Sequence, residues 1–127
     1  MSDSYIRLKT YDEYKDVIEN YQDKILYICI SATWCKPCQR MKISMGEYME
    51  NKKFKNDILY CQINYDDMVE DDEWMEEMKC KKIPFYIHMK EGNKNYIQTG
   101  NIEEWIQFMN IYDLLEDKHQ IEILEDF

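Results

Sequence analysis

Trp34-Cys35-Lys36-Pro37-Cys38, read with the run that precedes it, Ile25-Leu26-Tyr27-Ile28-Cys29-Ile30, decides how this chain folds. The run is apolar and rich in β-formers, and residues 35–51 behind it read as a helix. A Cys-x-x-Cys pair at a strand-to-helix junction places its first sulfur where free backbone N–H groups and the positive end of the helix dipole stabilise a thiolate. Pro37 fits the first helical turn, where its missing N–H costs no hydrogen bond, and it stiffens the loop between the sulfurs. The spacing suits a reversible disulfide.

A second signal lies at Ile83-Pro84-Phe85, just before the strand-like run that continues to Met89. With Trp-Cys-x-Pro-Cys after a buried strand and Ile-Pro at this distance in a βαβ pattern, the chain resembles the thioredoxin family from about residue 5 to about residue 108. Gly100 stands where that family usually has a glycine after its last strand. The resemblance implies an α/β, thioredoxin-like fold: a central mixed β-sheet flanked by helices on both faces. It divides the chain into a thioredoxin-like domain, residues 1–115, and an acidic C-terminal tail or helix extension, residues 116–127.

Working outward, Tyr5 to Leu8 reads as a short strand, and Thr10 starts a helix with Glu13 completing a capping box. The apolar stripe of that helix is Tyr14, Val17, Ile18 and Tyr21. The near-continuous apolar character of residues 25–31 predicts a central strand covered on both faces. Residues 58–65 read as the next strand and 69–80 as one acidic helix. Residues 85–89 pair with 95–99 through Glu91-Gly92-Asn93, and Asn101 caps a last helix to about Leu115. Val69, Trp74, Met75 and Met78, like Trp105, Phe108, Met109 and Tyr112, have the spacing of core stripes. The tail is open to three readings: a continuation of the helix, a packed strand, or a mobile end.

Composition agrees with one domain. A chain of 127 residues with 45% hydrophobic and 14% aromatic content carries enough apolar surface for one core and too much for disorder. The stretch 1–10 is polar and lacks the pattern of a signal peptide, and no apolar run approaches a membrane span, so a cytoplasmic, reducing location is expected. Five cysteines without repeated spacing suit one redox pair and three buried thiols better than a secreted disulfide framework. Abundant Ile, Lys, Asn and Tyr with a single alanine, Ala32, fit an AT-rich genome such as that of a large DNA virus or a protist, which would make a virion a second possible location.

The resemblance implies catalytic roles for Cys35 and Cys38 and a substrate-binding surface made of Trp34, Lys36, Pro37, Ile83 and Pro84. Cys35 would attack a substrate disulfide as a thiolate, and Cys38 would attack Cys35 to release the reduced product. A cis Pro84 would leave the backbone of Ile83 free to pair with an extended substrate segment. Cys35 is expected to be the most reactive thiol, because it combines the helix N-terminus, Lys36 and solvent access. No cofactor and no metal are implied: structural zinc needs four ligands, and Cys61, Cys80, His88 and His119 do not form such a set. The partners implied are protein disulfides as substrates and a thioredoxin reductase or other dithiol donor.

The chain departs from the family at informative places. Cys29 replaces the buried aspartate that many members carry on the central strand, and Gln62 stands for the lysine beside it, so the usual proton relay is missing. Ser31 replaces a usual tryptophan, Lys36 a glycine, and Ile43 a frequent helix-kinking proline.

The net charge of −10 argues against nucleic-acid binding. Acidic residues crowd positions 66–77 and read as a solvated helix face, whereas Lys36, Arg40, Lys42, Lys79, Lys81 and Lys82 flank the two motifs. Such a basic rim favours thiolate and attracts acidic partners. Two functions follow: a thiol-disulfide oxidoreductase serving electron transport and cell redox homeostasis, or a thioredoxin-fold binding or structural protein, for example a viral particle component, with a vestigial or redox-sensing CxxC. Retention of both cysteines favours the oxidoreductase.

Overall fold

The computed structural model describes residues 5–118, and its layers follow from the pleat of one strand. In β2 (Ile25–Ser31), Leu26, Ile28 and Ile30 share a core with Tyr14, Val17, Trp74 and Met78. Tyr27 and Cys29, pointing the other way, share a second core with Met41, Trp105, Phe108 and Met109. A strand buried on both faces has no polar side to show, which is why its sequence is apolar almost throughout.

The sheet has the order β1-β4-β2-β5-β6. β1 (Ile6–Leu8) and β4 (Ile58–Asn64) run parallel to β2's direction, with β4 between the other two. β5 (Phe85–Lys90) is antiparallel to β2, and β6 (Asn93–Gln98) is antiparallel to β5. The sheet is therefore mixed, as expected. The helices α1 (Tyr11–Asn20) and α4 (Asp72–Met78) supply the first core, and α2 (Lys36–Tyr48) and α5 (Ile102–Ile111) the second.

Local chemistry sets most boundaries. The Thr10 hydroxyl accepts from the Glu13 amide at 3.1 Å, while the Glu13 carboxylate reaches back one residue further than a capping box requires, to the Lys9 amide at 2.6 Å. In the turn between β5 and β6, Glu91 and Gly92 both have positive φ, 51° and 84°, which makes it a two-residue connection twisted to suit a hairpin. Tyr21, at the end of the first stripe, is exposed, as is Val69.

Three expectations are corrected. The acidic helix expected over 69–80 is shorter, α4 at Asp72–Met78, and a separate short helix, α3 (Tyr65–Met68), precedes it, because Asn64 and Asp71 each cap a new start: Asn64 accepts from the Asp66 amide and Asp71 from the Trp74 amide. The redox helix is α-helical only to Tyr48 and finishes as a 3₁₀ turn, Met49–Asn51. The last helix stops at Ile111, where Asp113 takes φ 54° and the Leu114 amide turns back to the Met109 carbonyl at 3.0 Å.

Beyond that stop the chain forms β7 (Leu115–Asp117), which pairs antiparallel with β3 (Lys52–Phe54) in a separate two-stranded sheet. Leu115 and Glu116 are thus consecutive residues of one strand, so a division between 115 and 116 falls inside an element. Lys52 is bound to Asp117 at 2.5 Å and Lys53 to Glu116 at 3.6 Å across this ribbon. Residues 119–127 of the expected tail, with His119, lie outside the described residues.

Candidate functional site: a dithiol at the start of α2

β2 ends against the active-site loop, so the loop inherits a rigid base. Cys35 is the N-cap of α2: its backbone is extended, φ −86° and ψ 109°, and its Sγ accepts from the Cys38 amide at 3.2 Å. Cys35 and Cys38 are joined as a disulfide, their Cα atoms 5.2 Å apart. When the bond is open, the same amide and the helix N-terminus favour negative charge on Cys35. Lys36 and Pro37 occupy the first turn, with Lys36 exposed.

Across the site the Ile83–Pro84 bond is cis. The Ile83 carbonyl oxygen lies 3.9 Å from Cys35 Sγ, near enough to take the proton of a Cys35 thiol into a weak hydrogen bond. Ala32, Cys35 and Cys38 form a small buried cluster against which Ile83 and Tyr65 pack, and Pro84 is buried beside them. Every residue expected at the site, Trp34 to Cys38 and Ile83-Pro84, is therefore on one end of the sheet. One expectation changes: Cys35 is 5% exposed and Cys38 7%, so solvent access does not separate the two sulfurs. Position at the helix terminus does.

Trp34 is 60% exposed, and its indole N–H donates to both carboxylate oxygens of Asp66, at 2.9 and 3.1 Å. Tyr65 meets the indole edge-on with ring centroids 6.3 Å apart. The sequence reading left Asp66 among the solvated acids. The signal that distinguishes it is its place two residues past the carboxyl end of β4, the edge where α/β sheets build sites. Gly100 also belongs here: a Cβ at that position would touch Pro37 Cβ at 3.6 Å, so the chain two residues past β6 packs directly on the Cys-x-x-Cys loop. Gln39 Nε2 ties the loop from the other side, donating to the Thr33 carbonyl at 2.8 Å.

The surroundings of Cys38 bear on proton transfer. Cys29 stands opposite Gln62 in the β2–β4 register, and Gln62 opposite Arg7 in β1–β4. Cys29 and Cys38 line one cavity of about 730 Å³ with Tyr60, Gln62 and Tyr86, and no Asp or Glu lines it among the described residues. Burial pushes the Cys29 thiol up to about 12, against a small opposing pull from its hydrogen bond to Ser31. Burial likewise holds the Tyr60 and Tyr86 hydroxyls well above the usual phenol range, with the neighbouring Cys29 adding to it. Gln62 donates to Tyr60 Oη at 2.7 Å and carries no titratable proton. The groups lining the cavity behind Cys38 thus include no base for neutral pH, in agreement with the missing relay read from Cys29 and Gln62.

Among the described residues no helix is long and apolar enough to cross a membrane. Cys29, Cys61 and Cys80 are buried free thiols. Burial pushes Cys61 up to about 12 and Cys80 to about 11, the latter offset in part by a backbone hydrogen bond with Lys82.

A family model described as thioredoxin matches residues 6–110. A thioredoxin of Geodia cydonium is 30% identical over 96 residues, covering 74% of this chain and 85% of that protein. A thioredoxin of Oryctolagus cuniculus is 28% identical over 88 residues, covering 69% and 78%. Among solved structures, thioredoxin NaTrxh from Nicotiana alata superimposes with a TM-score of 0.68 at 15% identity over 86% of this chain and 92% of that one. Schistosoma mansoni thioredoxin does so with 0.67 at 21% identity over 86% and 95%. At these identities the structures speak for the fold alone.

Proposed function

This chain belongs to the thioredoxin family, and on that premise we propose that it reduces protein disulfides with Cys35 as the attacking sulfur and Cys38 as the resolving one. Membership together with the Cys35–Cys38 pair makes the chain a thiol-disulfide oxidoreductase, an enzyme whose partners are, in general terms, protein disulfides and a reductase. The observation that carries the assignment of roles is the cap: Cys35, not Cys38, has its sulfur on the free amide of the first helical turn.

The steps balance as two exchanges. Cys35 thiolate attacks one sulfur of a substrate disulfide, forming a Cys35–substrate mixed disulfide and releasing the other sulfur as thiolate. Cys38, having lost its proton, attacks Cys35 Sγ, restoring the Cys35–Cys38 disulfide and releasing the second substrate sulfur. Two electrons have moved to the substrate, and a dithiol donor of the reductase class returns them. The backbone at Ile83 supports an extended substrate segment laid beside Cys35, and Trp34, held by Asp66, forms a wall of that groove. Exposed Lys36 and Arg40 on α2, with Lys81 and Lys82 leading into Ile83, favour substrates carrying acidic residues near the disulfide.

A reducing compartment, with the cytoplasm or a virion as the candidates, is supported by three thiols left free beside a single bridged pair. Insulin reduction with dithiothreitol tests the function. Wild type is expected to accelerate precipitation, Cys35→Ser to abolish the acceleration, and Cys38→Ser to trap mixed disulfide. A wild type no faster than Cys35→Ser would instead favour a binding or structural role.

A further inference from the structure

The cavity behind Cys38 is larger and differently charged than resolution of a disulfide requires. Its floor is the sheet face bearing Tyr27, Cys29 and Tyr60, and its walls include Met45, Met49 and Phe54. Met45, Met49 and Phe54 make an apolar wall. Arg7, Lys42, Lys52, Lys53, Lys55 and Lys118 also line it, with no acidic residue among the described ones, in a chain whose net charge is −10. Lys52, Lys53 and Lys55 are bound to Asp117, Glu116 and Asp113. Arg7, Lys42 and Lys118 have no ion pair among the described residues, and all three are exposed.

Arg7 owes its place to register. Ile6 and Leu8 face the core shared with α1, so the residue between them must face the α2 side, in line with Gln62 and Cys29. The cavity is open on one side, and its volume of about 730 Å³ is in the range that accommodates a small organic ligand. An apolar wall with cations at its edge that have no ion pair among the described residues is complementary to a molecule that is apolar at one end and anionic at the other.

We propose that this cavity is a binding site for an amphipathic carboxylate of the medium-chain fatty-acid class, its chain along Met45, Met49 and Phe54 and its head on Arg7 and Lys42. Ala32, Thr33, Cys38, Gln39 and Pro84 bring the cavity up to the redox centre, but Trp34, Cys35 and Ile83, which face the substrate, do not line it. Binding therefore does not depend on disulfide exchange and is measurable without it.

Calorimetric titration of the full chain with dodecanoate tests the site. The expected result is one site with a dissociation constant of about 50 µM. Removing both cations in Arg7→Gln/Lys42→Gln should weaken it about tenfold or more, since two charge-assisted hydrogen bonds are lost, and dodecanol should bind the wild type correspondingly less well than dodecanoate. Gly46 lines the cavity from α2, and a Cβ there meets no atom within 4 Å. Gly46→Trp should therefore fold, retain insulin reduction and lose dodecanoate. Absence of binding up to about 1 mM, equal affinity for dodecanol, or unchanged affinity in either variant would overturn the proposal. So would binding that emerges only after residues 119–127 are deleted, which would assign the cavity to that segment.

Discussion

Replacing Cys29 by aspartate restores a carboxylate behind Cys38, and the structure sets both its cost and its benefit. Cys29 is 8% exposed and is flanked by Gln62 across the β4 pairing and by Tyr86 across the β5 pairing. Desolvation raises a carboxyl in such a place, while Arg7 and Lys42 on the same cavity limit the rise. A native-state value of about 7 against about 3.9 unfolded corresponds to about 4 kcal/mol. The sign follows from proton binding: between these values the native state holds the proton and the unfolded state does not, so stability falls as pH rises. Relative to wild type, Cys29→Asp should be least penalised below pH 4, lose stability between pH 4 and 7, and carry the full loss above it. The benefit is a base for Cys38, and general-base assistance is commonly worth 10² or more. Wild-type resolution should depend on direct ionisation of Cys38, so its rate should rise steadily with pH across the neutral range, by up to about tenfold per pH unit. Stopped-flow reaction of the reduced proteins with an aromatic disulfide separates the steps, since the second thiolate released reports attack by Cys38. Cys29→Asp should speed that second phase near pH 7 by about tenfold or more and flatten its pH dependence above the new carboxyl's titration. Resolution by the wild type that is independent of pH between 6 and 8 would show that another group supplies the base, and the argument from Cys29 and Gln62 would fail.

Limiting iodoacetamide at pH 7 followed by peptide mapping of the reduced protein should label Cys35 first. Cys29 and Cys61, pushed up to about 12, hold about one thiolate in 10⁵ at that pH, and early labelling of either would contradict their burial. Tyr27→Phe removes the acceptor for the Trp105 indole N–H, now 2.8 Å from Tyr27 Oη in the core. It should cost about 1–3 kcal/mol in urea unfolding, and a loss below about 0.5 kcal/mol would mean that the N–H finds another partner. Lys36→Gln removes a cation from the first turn and with it some stabilisation of the Cys35 thiolate. The potential measured against glutathione should become more negative, each 30 mV representing about 1.4 kcal/mol, and a shift in the positive direction would refute the electrostatic role of Lys36.

What the sequence alone determined was everything that rests on nearest neighbours or on one strand's own period. The continuous apolar run 25–31 specifies a doubly covered central strand, because each alternate residue must find a core. Thr10 and Asn101 announce helix starts because a cap bonds within its own turn. Cys-x-x-Cys at a strand-to-helix junction specifies the chemistry, because the stabilising amide is three residues away. Even the missing relay was legible at Cys29 and Gln62, through the resemblance. Tertiary structure decided what depends on pairings between distant segments. β3 and β7 are three residues each, polar, and about sixty apart, so neither carries a period that would reveal it, and only their cross-strand pairs show that the chain after Leu114 is a strand. Asp66 reads as one more acid in an acidic stretch until β4 delivers it to the Trp34 indole. Arg7 reads as a surface charge until the parallel register places it in line with Gln62 and Cys29 on the rim of a cavity. Local hydrogen-bonding and periodicity are written in consecutive residues, whereas register is a relation between strands that no single stretch contains.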